Sequence, residues 1–213
     1  HLIASLDRSL VNLGVEYVDI FYHHRPDPET PMEETALALK HIVDSGKALY
    51  VGISNYNLEQ TKQMCALLRE NKVPFVISQM RYSLLDRTVE TCGLKAFARE
   101  NGFALTAYSP LAQGMLTDKY LHGIPQDSRM SLNMNLKKES LTDEVLGKIG
   151  ALNEVAAARG QTLAEMAISW PLRDEDVASV IIGASRSSQI AEDLRFNGTF
   201  TAEELKTIDE ITL

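Results

Sequence analysis

The sequence predicts an α/β protein made of repeated βα units on a parallel sheet, and three observations carry that prediction. Five short β-rich runs recur along the chain, and amphipathic stretches of helical period separate them. The runs are nearly continuously apolar, as strands are when helices cover a parallel sheet. Gly14, Gly46, Gly102 and Gly160 each follow a helical stretch, where a closing residue with positive φ is wanted.

In chain order, a helix is expected over residues 2–13 and the first strand over 17–22 (YVDIFY). Thr30-Pro31-Met32-Glu33 then offers an N-cap hydroxyl, a proline at the first helical position and a Glu three residues past the cap. These predict a helix over 33–45. The second strand is 48–53 (ALYVGI), followed by a helix over 58–71; the third is 74–77 (PFVI), followed by a helix over 89–101. The fourth strand, 103–107 (FALTA), leads into 114–141, a polar stretch with Gly123, Pro125 and several Ser and Asn. At that length a functional loop over a site is expected. Helices over 144–159 and 163–173 precede the fifth strand, 178–182 (ASVII), and helices over 188–194 and 202–211 follow it. Thr201 and Glu204 repeat the capping-box spacing.

Composition narrows the function. With 213 residues, 45% apolar and 23% charged, residues 1–213 are expected to form a single domain with a sizeable core. Lys and Arg number 21 against 29 Asp and Glu, a net charge of −8 that argues against nucleic acid or an anionic membrane as partner. Cys65 and Cys92, both expected in helices, have no metal-ligand spacing and make no disulfide framework, so a reducing, cytoplasmic setting and no bound metal are expected. No apolar run approaches a membrane span, and no signal peptide is visible. The sequon at Asn197-Gly198-Thr199 is expected to go unused there.

In parallel α/β folds ligands bind at the carboxyl ends of the strands. The five expected strands are followed by His23-His24-Arg25-Pro26-Asp27, Ser54-Asn55, Ser78-Gln79, Tyr108-Ser109-Pro110-Leu111 and Gly183-Ala184-Ser185-Arg186. Any one of these alone reads as turn or cap chemistry; all five together predict a shared polar face. Ser54, Asn55 and Gln79 offer the donors and acceptors a carboxamide needs. Tyr108 offers a flat face for a planar ring. Gly183-Ala184-Ser185 opens a helix whose free N–H groups suit a phosphate, with Arg186 adding charge. Carboxamide, ring and phosphate together describe a nicotinamide nucleotide. No strand is followed by G-x-G-x-x-G or a P-loop, which counts against an open dinucleotide-binding sheet and leaves a (β/α)8 barrel ahead. His23 and His24 are consecutive, so only one can enter the site and they make a poor metal pair; a lone histidine is as readily structural as catalytic. His41 and His122 read as surface residues, and the pairs Glu33/Glu34 and Glu203/Glu204 as partners of helix dipoles. Paired glycosidase carboxylates, a G-x-S-x-G elbow and a base beside either cysteine are all missing.

The segments LGVEYVDIFYHHRPDPETPMEET, GKALYVGISNYN, AYSPLAQGMLTDKYLHGIPQDSR and SVIIGASRSSQIAEDL closely resemble the aldo-keto reductase superfamily. The resemblance is nearest to the branch of the potassium-channel β-subunits and the bacterial glyceraldehyde-3-phosphate-type reductases, and it runs from Leu2 to Leu213. It implies a (β/α)8 TIM barrel that binds NADPH (or NADP) across the strand tips and passes a hydride to a small aldehyde or ketone. By the same resemblance His24 is the histidine of the catalytic tetrad, orienting the carbonyl and donating to its oxygen. Ser54, Asn55 and Gln79 hold the carboxamide, and Tyr108 stacks on the ring. Ser109, Pro110, Leu111, Ala112 and Gln113 follow the pyrophosphate and ribose, and Lys119 and Arg129 reach the phosphates. Gly183, Ser185, Arg186, Gln189 and Glu192 match the adenosine 2′-phosphate site. Asp193 stands where the family usually places Asn at its adenine contact, and Asn55 stands where channel subunits carry Arg.

The tetrad's Asp, Tyr and Lys belong to early strands ahead of the first helix here, and none of the three is in this sequence. About five of eight strands are accounted for, and read literally the sheet would keep two open edges, an aggregation liability. The chain is therefore expected to be the C-terminal part of a longer enzyme, inactive by itself. The alternative is a nucleotide-binding regulatory or scaffold subunit like the channel β-subunits. His24 and Tyr108, where those carry Asn and Trp, favour the enzyme. An aldolase-type barrel gains nothing, since no strand ends in a Schiff-base Lys. Self-association into a homo-oligomer stays open.

Overall fold

The computed structural model describes residues 1–120 and 138–213. All five expected strands form: β1 Val18–His23, β2 Ala48–Ser54, β3 Phe75–Arg81, β4 Ala104–Tyr108 and β5 Val177–Ile181. They are hydrogen-bonded in chain order, β1 through β5, and the printed registers of β1 with β2 and of β2 with β3 are parallel. Helices α1 Leu2–Leu13, α2 Met32–Asp44 and α3 Leu58–Glu70 alternate with the first three strands. Helices α4 Thr88–Thr91 and α5 Leu94–Asn101 precede β4; α6 Asp143–Ala158 and α7 Leu163–Ser169 precede β5; α8 Ser187–Asp193 and α9 Ala202–Thr212 follow it. This α/β arrangement is that of a partial (β/α)8 barrel. The four glycines expected to close helices all take positive φ.

The residues gather into two compact units, His1–Met80 with Val89–Thr106, and Arg81–Thr88 with Ala107–Leu213. In the first, Ala36 and Leu39 of α2, Val51 and Ile53 of β2, and Met64 and Leu68 of α3 are wholly buried around Tyr56. Each such leucine contributes roughly 1.5–3 kcal/mol by leaving water. Leu6 and Leu10 of α1 pack beside Ile42 and Ala48. Gly52 lets β2 lie close to its neighbours. A Cβ there would stand 2.7 Å from the Tyr22 ring and 2.9 Å from Ile77, at the point where the β2–β3 register shifts.

The second unit is organised around Trp170, which is wholly buried with Tyr82 at 5.1 Å between ring centroids. The Arg173 and Arg87 guanidinium carbons lie 3.8 and 4.7 Å from the Trp170 ring centroid. Arg87 is itself buried and donates to Asp209 Oδ1 and Thr212 Oγ1, each at 2.8 Å, which ties it to α9. Arg159 likewise ties the end of α6 to the start of α9 through Glu204, the Thr199 carbonyl at 2.9 Å and the Phe200 ring. The hydrogen bond from the Thr201 backbone, chiefly, and the Arg159 charge hold the Glu204 carboxyl below its usual range.

Four expectations need correction. Thr30 does not cap α2: Pro31 holds the N-cap position, and the Thr30 hydroxyl donates to Asp27 Oδ2 at 2.7 Å. The Asp27 carboxylate, which also accepts from the Glu29 N–H at 3.1 Å, outcompetes the helix for that hydroxyl. The helix expected over 89–101 is broken between α4 and α5, where Gly93 takes φ +83°. Cys92 sits in that break, exposed and outside any helix, while Cys65 lies buried on α3 as expected. The helix expected over 163–173 ends at Ser169 and tightens into a 3₁₀ turn at Trp170–Leu172, since Pro171 has no N–H to continue the α ladder. Finally, β3 runs on to Arg81, so Ser78 and Gln79 lie inside the strand, opposite Ile53 and Ser54, and not beyond it.

Candidate functional site

In the first unit the ends of β1 and β2 and the middle of β3 carry one connected polar network. Because Ser54 and Gln79 are register partners, their side chains share a face. The Asn55 amide nitrogen donates to the His24 carbonyl at 2.9 Å and to Ser54 Oγ at 3.0 Å, and Ser54 Oγ donates to Gln79 Oε1 at 3.5 Å. The Asn55 N–H also meets the Gln79 carbonyl at 3.3 Å. Gln79 thereby keeps its amide hydrogens as donors for a carbonyl group, with a second lone pair on Oε1 for an N–H. Ser54, Asn55 and Gln79 are thus brought together as the sequence predicts.

His23 and His24 separate as their alternation requires. His24 is exposed just past β1, whereas His23 is buried with its Nδ1 2.6 Å from the Tyr56 hydroxyl. Burial, and secondarily the neighbouring His24, push the His23 imidazole below its ordinary value, and burial pushes the Tyr56 phenol up. The phenol is therefore the donor and the neutral imidazole the acceptor. That bond joins the residue before His24 to the residue after Asn55. No motif or spacing signals it.

In the second unit a cavity of about 620 Å³ collects most of the remaining predicted residues. Tyr108 and the loop residues Ser109, Pro110, Leu111, Gln113 and Lys119 line one part. Gly183, Ser185, Gln189, Glu192 and Asp193 line another. Ala112 is buried within the loop, Arg186 is exposed at the start of α8 outside the lining, and Arg129 and His122 lie outside the described residues. The lining also includes Asn153 of α6 and Thr162, Leu163 and Ala164 at the start of α7, which reasoning from strand tips passed over.

Backbone strain marks the same places. Among the described residues, positive φ at a non-glycine residue occurs at Asn55, Lys72, Ser109, Ala112 and Gln113, and four of these five are predicted site residues. Such conformations cost of order 1–3 kcal/mol each and cluster where a ligand is held. At α8, Gln189 Oε1 accepts from the Ser185 and Arg186 N–H groups at 2.8 and 3.1 Å, so these two donors are met by a side chain of their own helix. A lysine, hydroxyls, an amide, a half-buried aromatic ring and strained loop backbone around one cavity are groups a phosphorylated nucleotide uses, and the same lining also holds the carboxylates of Asp118, Glu192 and Asp193.

Known proteins resemble this chain along its length. The sequence profile of the Aldo/keto reductase family matches residues 1–213. The L-glyceraldehyde 3-phosphate reductase of Escherichia coli (strain K12) is 53% identical over 216 residues, covering 99% of this chain and 62% of that protein. A probable voltage-gated potassium channel subunit beta of Arabidopsis thaliana is 42% identical over 200 residues, covering 92% of this chain and 61% of that protein. A crystallised thermostable aldo-keto reductase, in complex with the inhibitor epalrestat, matches with a TM-score of 0.76 at 27% identity, covering 99% of this chain and 65% of that one. The chain thus spans about three fifths of the length of the curated relatives it matches. With a profile match along its whole length, the chain belongs to the aldo/keto reductase family.

Proposed function

We propose that this chain is the C-terminal part of one barrel and that the full-length protein reduces small aldehydes or ketones with NADPH. The cavity of the second unit carries this reading, because it gathers most of the residues that the family resemblance assigns to the pyrophosphate, ribose and adenosine 2′-phosphate. When bound, NADPH supplies a hydride. In this chain Ser54, Asn55 and Gln79 hold the carboxamide, Tyr108 offers its ring face, and Lys119, Arg129 and Arg186 offset the phosphate charge. His24 leaves its exposed ring available to orient a carbonyl and donate to its oxygen, while its backbone is pinned by Asn55. The tetrad's acid, its lysine and its aspartate come from residues outside this sequence, so the chain alone does not turn over substrate.

The family membership and the reductase among the relatives support oxidoreduction. Among the described residues no helix is long and apolar enough to cross a membrane, and a cytoplasmic enzyme acting on a small molecule is the setting we favour. A second reading, a regulatory nucleotide-binding subunit without significant turnover, is favoured by the likeness to a probable channel subunit. NADPH added to the full-length protein should raise its unfolding temperature, and glyceraldehyde should then accelerate NADPH oxidation. Protection without oxidation would favour the regulatory subunit, and no protection at saturating NADPH would overturn both readings.

A further inference from the structure

Beyond the register pair His23 and Ile53, the ends of β1 and β2 are tied to each other by side chains. On the open side the Asn55 amide donates to the His24 carbonyl at 2.9 Å, an exposed contact. On the helix side the Tyr56 hydroxyl donates to His23 Nδ1 at 2.6 Å, and this contact is buried. Tyr56 sits among Ala36 and Leu39 of α2, Val51 and Ile53 of β2, and Met64 of α3. The two rings also meet edge to face, with centroids 5.8 Å apart. Among the described residues the Tyr56 hydroxyl has no hydrogen-bond partner except His23.

Filling that apolar cluster does not require a polar pair. Removing one partner of a buried hydrogen bond is costly, but replacing both by apolar groups of similar shape is nearly neutral. A phenylalanine and a leucine would therefore fill the space. They would not supply direction: a hydrogen bond holds donor and acceptor within a narrow range of angles, whereas apolar contact is non-directional. The direction falls on two neighbours in the chain. His23 precedes His24, and Tyr56 follows Asn55, whose backbone stands at φ +62°. A residue other than glycine keeps that conformation only where its surroundings over-determine it. Asn55 is held in three ways: its N–H by the Gln79 carbonyl at 3.3 Å, its amide by the His24 carbonyl, and its next residue by His23.

We propose that Tyr56 and His23 are positioning residues, whose buried bond fixes the backbone that presents the His24 ring to a carbonyl and the Asn55 amide to a carboxamide. The inference rests on the reductase reading of His24 and Asn55. Both side chains lie on the helix side, so neither meets the substrate. A displacement of about 1 Å at a reacting group costs on the order of 10²-fold in rate, so kcat is the sensitive readout.

The test uses the full-length protein and four variants: Tyr56→Phe, His23→Leu, the two combined, and His23→Asn. NADPH oxidation with glyceraldehyde, NADPH affinity and the unfolding midpoint are measured for each, with kcat taken well below the midpoint. Tyr56→Phe and His23→Leu should each lower kcat by about 10–100-fold while NADPH affinity barely moves. The double variant should regain most of the midpoint lost by either single change and still keep their low kcat, since all three lack the same bond. His23→Asn, whose amide oxygen can stand where Nδ1 does, should hold kcat near the natural value. Natural kcat in Tyr56→Phe or in the double variant would overturn the inference, as would a loss in His23→Asn as deep as in His23→Leu. A fall in NADPH affinity as large as the fall in kcat would also overturn it. If a single variant does not fold, the double variant decides: low kcat at a natural midpoint supports positioning, and natural kcat removes it. A natural protein that binds NADPH but oxidises none removes the reductase reading and the inference with it. Turnover that Tyr56→Phe leaves unchanged removes the inference alone.

Discussion

The polar network of the first unit and the cavity of the second solve the same problem in opposite ways. At β1, β2 and β3 the side chains are already bonded to one another, from the His24 carbonyl through Asn55 and Ser54 to Gln79. Around the cavity, Lys119 and Arg186 are exposed and the loop after β4 holds strained backbone. The first region is preorganised and loses little freedom when it meets a ligand. The second offers room and a mixed set of charges, Lys119 beside Asp118, Glu192 and Asp193, and on the proposed reading it would hold its ligand with less demand on position. Position matters most where a bond is made, and charge matters most where a phosphate is merely held.

Breaking the first region should therefore hurt turnover and breaking the second should hurt binding. The largest effect is expected from His24→Ala. In the full-length enzyme kcat should fall by about 10²–10⁴-fold while NADPH affinity barely moves. Equal losses in both would make His24 a structural histidine. Next comes Gly52→Ala, whose new methyl must displace the Tyr22 ring and Ile77. It should destabilise the protein by about 1–3 kcal/mol in denaturant unfolding, and an unchanged midpoint would show that β2 has room to shift. In the second region Arg186→Gln should weaken NADPH by roughly tenfold and leave NADH nearly unchanged, the scale of one charge-assisted hydrogen bond. A parallel loss for both nucleotides would place Arg186 away from the extra phosphate.

The smallest effect separates the regions by pH. His23 has a lowered pKa in the folded protein, so the folded state resists its protonation. Its contribution to stability is present above the ordinary imidazole value and is lost as the pH falls through that value toward the lower folded one. Thermal unfolding should show a decline between about pH 7 and pH 5 that His23→Asn flattens. A decline of the same depth in the variant would assign it to other groups.

Much of this was legible because it is local. Thr201 and Glu204 cap α9 as their spacing says, and two further boxes of the same kind, Asn57 with Gln60 and Thr162 with Glu165, follow the rule without having been singled out. The five strands and their parallel pairing also followed from the βα repeat. What escaped depended on distant or competing partners. Asp27 took the Thr30 hydroxyl from the helix, and Gln189 took two N–H groups that read as free. Asn153 enters the cavity from the body of α6, where its only signature is one amide in an apolar helix. The helix expected over 89–101 read as continuous because periodicity is blind to a single residue in a left-handed conformation, here Gly93.

The bond between Arg87 and α9 also sets a schedule. Its partners Asp209 and Thr212 lie 122 and 125 residues further along the chain. At a ribosomal pace of about 5–20 residues per second, Arg87 waits on the order of ten seconds between its own emergence and theirs. During that interval Arg87 lacks the two bonds that tie it to α9. The second unit can reach its final form only when residues 209–212 have been made, however early its strands pair.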